Sequence, residues 1–168
     1  TADVVDTLIG IENITGSSGN DTIFGDGGDN TLISGAGNDI LEGGAGDDYL
    51  DGGADIDTVF YNQATSGVNV NLGTTALQNV GGGQGNDTLI DIENVIGSGF
   101  ADTFKGNNSV SNTFNGGMNL STQVENLNDE NDTVDYSTLT GVTDKIIVDL
   151  SNTISANVQV TVAGVAQG

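Results

Sequence analysis

A nine-residue beat from Gly16 to Phe60 constrains this chain more than any other feature of it. Split into nines, the segment reads GSSGNDTIF, GDGGDNTLI, SGAGNDILE, GGAGDDYLD and GGADIDTVF. A carboxylate or amide recurs at the sixth place, as Asp21, Asn30, Asp39, Asp48 and Asp57. An apolar residue recurs at the eighth, as Ile23, Leu32, Leu41, Leu50 and Val59. Self-similarity at a fixed short period is the mark of stacked repeats, each packing on its neighbours.

The chemistry follows from the residue types. Glycine at the first, second and fourth places permits positive φ and close backbone approach, so the first six residues form a tight turn. Gly19, Gly37 and Gly46 hold the fourth place and would turn carbonyl oxygens inward. The sixth-place Asp adds a charged oxygen. Such a set suits Ca²⁺, which takes six to eight oxygens in flexible geometry, better than Mg²⁺ with its strict octahedron. Zn²⁺ would want His or Cys, and the chain has neither. The last three residues of each nine are rich in strand formers, and their middle member points inward because strand side chains alternate. A turn plus a short strand is half a coil. The expectation is an all-β chain: a parallel β-roll, two-sided, with two nines to each coil and less regular strands after each repeat block.

Charge sharpens that reading. The formal net charge is −22, with 24 acids against Lys105 and Lys145 alone. Self-repulsion of this size opposes a compact state, so cation binding is expected to supply the folding free energy. Nucleic acid as a partner is excluded by the lack of basic patches, and direct binding to anionic lipid by the same argument. The absence of Cys removes disulfides and thiolate sites. No apolar run is long enough to span a membrane. No signal-peptide pattern opens the chain at Thr1, and it reads as a fragment of a longer protein with neighbouring domains.

A longer repeat contains the short one. DTLIGIENITGSSGNDTIF, from Asp6 to Phe24, resembles DTLIDIENVIGSGFADTFK, from Asp87 to Lys105, at an offset of nine nines. The expected units are residues 1–80 and 81–168. The first carries the repeats of 16–60 and a strand extension. The second is diverged, with an inserted loop at 119–130 and C-terminal strands. Each IEN segment reads as a half coil with a shortened turn, placing Glu12 and Glu93 where the Asp normally sits. Strand-like GVNVNL, IIVDL and VQVTV lack turn carboxylates and should extend or cap the sheets without metal. Tyr61 and Tyr136 follow strands and read as core or rim packing.

Consecutive turns of a two-sided coil alternate sides. One side then carries Asp21, Asp39 and Asp57, with Asp6 before them; the other carries Glu12, Asn30 and Asp48. Each Ca²⁺ is expected between stacked turns of one side, taking a carboxylate from each. The pairs are Asp21 with Asp39, Asp39 with Asp57, Asn30 with Asp48, and Asp87 with Asp102. Asp132 stands in a turn that the insertion interrupts. Glu12 and Glu93 can replace Asp as oxygen ligands, with longer reach. Asp29, Asp47 and Asp51 read as solvated surface charge.

The pattern resembles the RTX, or haemolysin-type calcium-binding, family, whose repeat is GGxGxDxUx with U apolar. The resemblance is strong for residues 16–60, fair for 6–15 and 82–136, and weak beyond. It implies a parallel β-roll, type I secretion by a Gram-negative bacterium, and folding in millimolar external Ca²⁺. It implies ligation by Asp21, Asp39, Asp48, Asp57 and Asp87. Departures are Asn30, Asp55 and Phe100, the last two in glycine places, and the insertion. The expected function is a calcium-dependent folding module of a secreted or surface protein such as an adhesin, surface-layer protein or toxin. The alternative is a module binding a glycan, a cell surface or a matrix component. An enzyme is not expected, because no nucleophile–base arrangement exists.

Overall fold

The computed structural model describes residues 10–107, 111–117, 133–135 and 159–161. Asp6, Asp132, Tyr136, the loop at 119–130 and the IIVDL segment lie outside the described residues.

Each nine-residue unit of the regular block ends in a strand, as the β-branched and aromatic residues there favour. Three parallel stacks result, and one short antiparallel strand adds to the edge of the first. The first holds β1 (Asn13–Thr15), β3 (Thr31–Ala36), β5 (Tyr49–Ala54) and β9 (Asn86–Ile90), with β8 (Gln78–Asn79) antiparallel at its edge. The second holds β2 (Thr22–Phe24), β4 (Ile40–Glu42), β6 (Thr58–Phe60), β10 (Asn94–Ile96) and β12 (Thr113–Asn115). The third holds β7 (Asn69–Asn71), β11 (Thr103–Lys105), β13 (Thr133–Asp135) and β14 (Gln159–Thr161). The described residues contain no helix, and so none long and apolar enough to cross a membrane.

Register is set by the apolar place. Ile14, Leu32, Leu50 and Leu89 stand in file in the first sheet. Ile23, Leu41, Val59, Val95 and Phe114 stand in file in the second. Val70, Phe104 and Val134 do so in the third. Leu32, Leu41, Leu50, Val59 and Val70 are completely buried. Each such side chain contributes about 1.5–3 kcal/mol by leaving water. The core is thus a thin layer between facing sheets. Phe104 and Phe114 join the third sheet to the second, their rings stacked 5.3 Å apart.

The regular block is two-sided, with neighbouring strands of one sheet a whole coil apart: Ile14 pairs with Leu32, and Leu32 with Leu50. Beyond β6 the chain makes an excursion over residues 61–85 and founds the third sheet at β7. It returns so that β9 pairs with β5 and β10 with β6. The stack therefore continues from the first sequence unit into the second without a break.

Candidate metal-binding turns

The sixth-place residues form ladders along the stack. The Asp21 N–H donates to Asp39 Oδ1 at 2.7 Å, and the Asp39 N–H donates to Asp57 Oδ1 at 2.8 Å. The Asp57 N–H donates to Glu93 Oε2 at 2.9 Å, so Glu93 is the next rung. A second ladder runs on the opposite side. There the Asn30 N–H donates to Asp48 Oδ1 at 2.8 Å, and the Asp48 N–H donates to Asp87 Oδ1 at 3.2 Å. A third ladder begins where the Val68 N–H donates to Asp102 Oδ1 at 2.8 Å.

Glycine makes the stacking possible. Gly37 has φ of 116°, and a Cβ there would stand 2.7 Å from the Gly19 carbonyl carbon. Gly46 has φ of 121°, with the same relation to Gly28 at 2.7 Å. A side chain at either place would collide with the main chain of the neighbouring turn, so glycine lets the turns stack this closely. Gly19 packs loosely by comparison, with only Ser17 Oγ near a Cβ, at 3.8 Å.

Asp39, Asp48 and Asp57 are 0–1 % exposed. In each, Oδ1 accepts the ladder bond, while Oδ2 is buried with no hydrogen-bond partner. An ionised carboxylate buried this way is costly unless a cation faces it. No Lys or Arg occurs within residues 16–60. Burial, with neighbouring carboxylates adding, pushes Asp48 and Asp57 up to about 6. Burial likewise raises Asp87 to about 7. Asp39, Asp48 and Asp57, each with an unpartnered buried oxygen, thus fit a hard divalent cation, with turn carbonyls completing its shell. Among the described residues no three acidic or His side chains gather as a cluster, so main-chain oxygens are required.

The remaining expected residues divide. Asn30 is buried, but its Oδ1 accepts from the Asp26 N–H and its Nδ2 is unpartnered, so it turns an amide donor toward its neighbours. Asp21 is half-buried, with both oxygens bonded to Ser17. Glu12 is exposed, and its carbonyl, not its carboxylate, receives the Thr31 N–H. The pairing of Asp87 with Asp102 is corrected: they belong to the second and third ladders. The pairing assumes strict two-sided alternation, which the third sheet breaks.

Asp29 and Asp47 are exposed, as expected, but they do more than meet solvent. Asp29 Oδ1 accepts from the Asp47 N–H at 2.9 Å, and Asp47 Oδ1 accepts from the Asn86 N–H at 2.9 Å. Asn20 and Asn38 do the same for Asn38 and Ile56, at 3.0 and 3.1 Å. The fifth place thus carries a second set of rungs running opposite to the sixth. Its sequence signal is the Asn/Asp recurrence at that place. Sequence reasoning also misses the role of Tyr61. It is buried, and its hydroxyl donates to Asp87 Oδ2 at 2.8 Å.

A family model described as the RTX calcium-binding nonapeptide repeat, in four copies, matches residues 6–41 and again 24–59. No curated protein matches the chain.

Proposed function

We propose, from the premise that residues 6–59 are RTX calcium-binding nonapeptide repeats, that this chain is a folding module whose β-roll is assembled by Ca²⁺ outside the cell. RTX repeats bind Ca²⁺. The observation that carries the reading is the unpartnered buried Oδ2 of Asp39, Asp48 and Asp57. Each is a ligand presented between stacked turns. Asp21 and Glu93 extend the same side as rungs of the ladder.

A −22 chain with such sites stays unfolded when cation is scarce and folds when it is plentiful. Extracellular calcium modules bind at about 10⁻⁴–10⁻³ M. This behaviour suits a secreted or surface-displayed bacterial protein that crosses the envelope unfolded, through type I secretion. The chain would act as a structural spacer of an adhesin, surface-layer protein or toxin, rather than as an enzyme. Far-UV circular dichroism over micromolar to ~10 mM Ca²⁺, with Mg²⁺ as control, brackets the range expected of such modules and tests this. A cooperative, Ca²⁺-specific gain of β structure is expected. A β-rich spectrum unchanged in excess chelator would overturn it.

A second reading, a ligand-binding module on the same solenoid, draws on one groove. Phe24, which is exposed, lines it with Asp26, Glu42, Gln63 and Gln84, between β4 and the 61–85 excursion. Gln84 Oε1 is buried there without a partner. Saturation-transfer NMR against neutral methyl glycosides tests it; a silent panel in saturating Ca²⁺ removes this reading.

A further inference from the structure

The acidic rungs are not equivalent in what faces their second oxygen. Asp39, Asp48 and Asp57 leave Oδ2 buried and unpartnered. Asp87 is as deeply buried, yet its Oδ2 accepts from the Tyr61 hydroxyl at 2.8 Å while Oδ1 takes the Asp48 N–H. Asp102 is buried too. Its Oδ1 accepts from Ser98 Oγ at 2.7 Å and from the Val68 N–H, and its Oδ2 accepts from the Ser98 N–H at 2.8 Å. Asp21, at the other end of the block, has Ser17 in the same relation.

We infer that protein hydrogen-bond donors stand in place of the cation at the carboxylates of the second sequence unit: the Tyr61 hydroxyl at Asp87 Oδ2, and Ser98 at Asp102, its N–H on Oδ2 and its hydroxyl on Oδ1. Calcium demand is then confined to the three consecutive turns of Asp39, Asp48 and Asp57. This rests on the calcium reading above and assigns its ions within the fold.

The chemistry is that of substitution. A hydroxyl donor satisfies a buried carboxylate oxygen with a charge-assisted bond. A divalent cation satisfies the same oxygen but brings two positive charges and requires further oxygen ligands around it. Tyr61 belongs to the buried core, and its phenol occupies the space beside Asp87 Oδ2. The residue stands just after β6, where the regular beat ends. The 61–85 excursion is thereby tied to the roll through a permanent side-chain bond. The roll has a metal-dependent middle followed by a part that closes on itself.

Bound Ca²⁺ counted by equilibrium dialysis in saturating Ca²⁺, on the whole chain, tests this. Asp39→Asn should lose at least one ion per chain. Asp87→Asn and Asp102→Asn should keep the wild-type count, and their folding midpoints in Ca²⁺ should move less than about twofold. Asp87→Asn is well suited. Its amide oxygen can accept the Asp48 N–H, and its NH₂ can donate to the Tyr61 phenol oxygen. Circular dichroism on the same samples shows that the variants fold. Loss of an ion by folded Asp87→Asn or Asp102→Asn overturns the inference. A wild-type chain that binds no Ca²⁺ overturns the calcium reading itself, so the two failures are distinct.

Discussion

The Asp57 main-chain N–H meets the Glu93 carboxylate at 2.9 Å, although the two residues stand far apart in sequence. That bond continues the Asp21–Asp39–Asp57 ladder into a turn without the GGxGxD form. Removing the carboxylate with Glu93→Ala leaves the Asp57 N–H without its charged acceptor, a loss of about 1.5–3 kcal/mol. The expected result is a folding midpoint displaced to higher Ca²⁺, read by circular dichroism. An unchanged midpoint would show that the ladder ends at Asp57.

The buried carboxylates set opposite pH responses with and without metal. Asp48 and Asp57 rise to about 6 and Asp87 to about 7, chiefly through burial. A carboxyl whose folded value lies above its unfolded value of about 4 binds its proton more tightly when folded. The metal-free fold therefore has its full stability from these groups below about pH 4, and loses it as pH rises to about 7. In chelator, acidification across that window should increase β structure. In Ca²⁺ the proton competes with the ion at Asp48 and Asp57, so the calcium midpoint should rise as the pH falls below about 6. Both are read from one set of titrations.

Asp55 sits in a glycine place with φ of 82°. A side chain in the left-handed region costs about 1–2 kcal/mol, less for Asp than for most residues. Its Oδ2 recovers part of that through a 3.3 Å bond from the Gly37 N–H. Asp55→Gly should raise the melting temperature of the calcium-loaded chain by a few degrees. A lower melting temperature would mean that the Gly37 bond outweighs the strain.

Gly37 and Gly46 have no such tolerance. Alanine at either meets both a positive φ and main-chain atoms 2.7 Å from its Cβ. Gly46→Ala should cost more than about 1 kcal/mol and shift the calcium midpoint at least severalfold upward. Gly19→Ala, whose Cβ meets nothing closer than 3.8 Å, should leave it nearly unchanged.

The regular block is legible in the sequence because two constraints coincide within each nine. Apolar Ile23, Leu32, Leu41, Leu50 and Val59 mark the inner face, and the glycines mark the turns. All five lie in the core. The third sheet is not legible, because its partners Val70 and Phe104 are separated by no whole number of nines. Its presence is what parts Asp87 from Asp102. GVNVNL reads as a strand that extends a sheet; β7 does more and founds one. The fifth-place ladder escapes for another reason. A carboxylate such as Asp47 looks solvated in sequence whether or not a main-chain N–H of the next coil reaches it. Tyr61 likewise reads as core or rim packing until its hydroxyl is seen on Asp87.

The two ladders, at the fifth and sixth places, run in opposite directions, so each junction of the regular block gives and receives through both. Asp21 donates upward to Asp39 while Asn38 donates downward to Asn20. Such a junction can be copied without new chemistry only in whole coils, because a single nine would carry every side chain to the opposite sheet. The roll is in this sense a ruler with one graduation: duplication in the gene can lengthen or shorten it by whole coils. The step from Leu50 to its partner Leu89 is no whole number of coils and breaks that graduation. The 61–85 excursion is the detour that brings the chain back into phase.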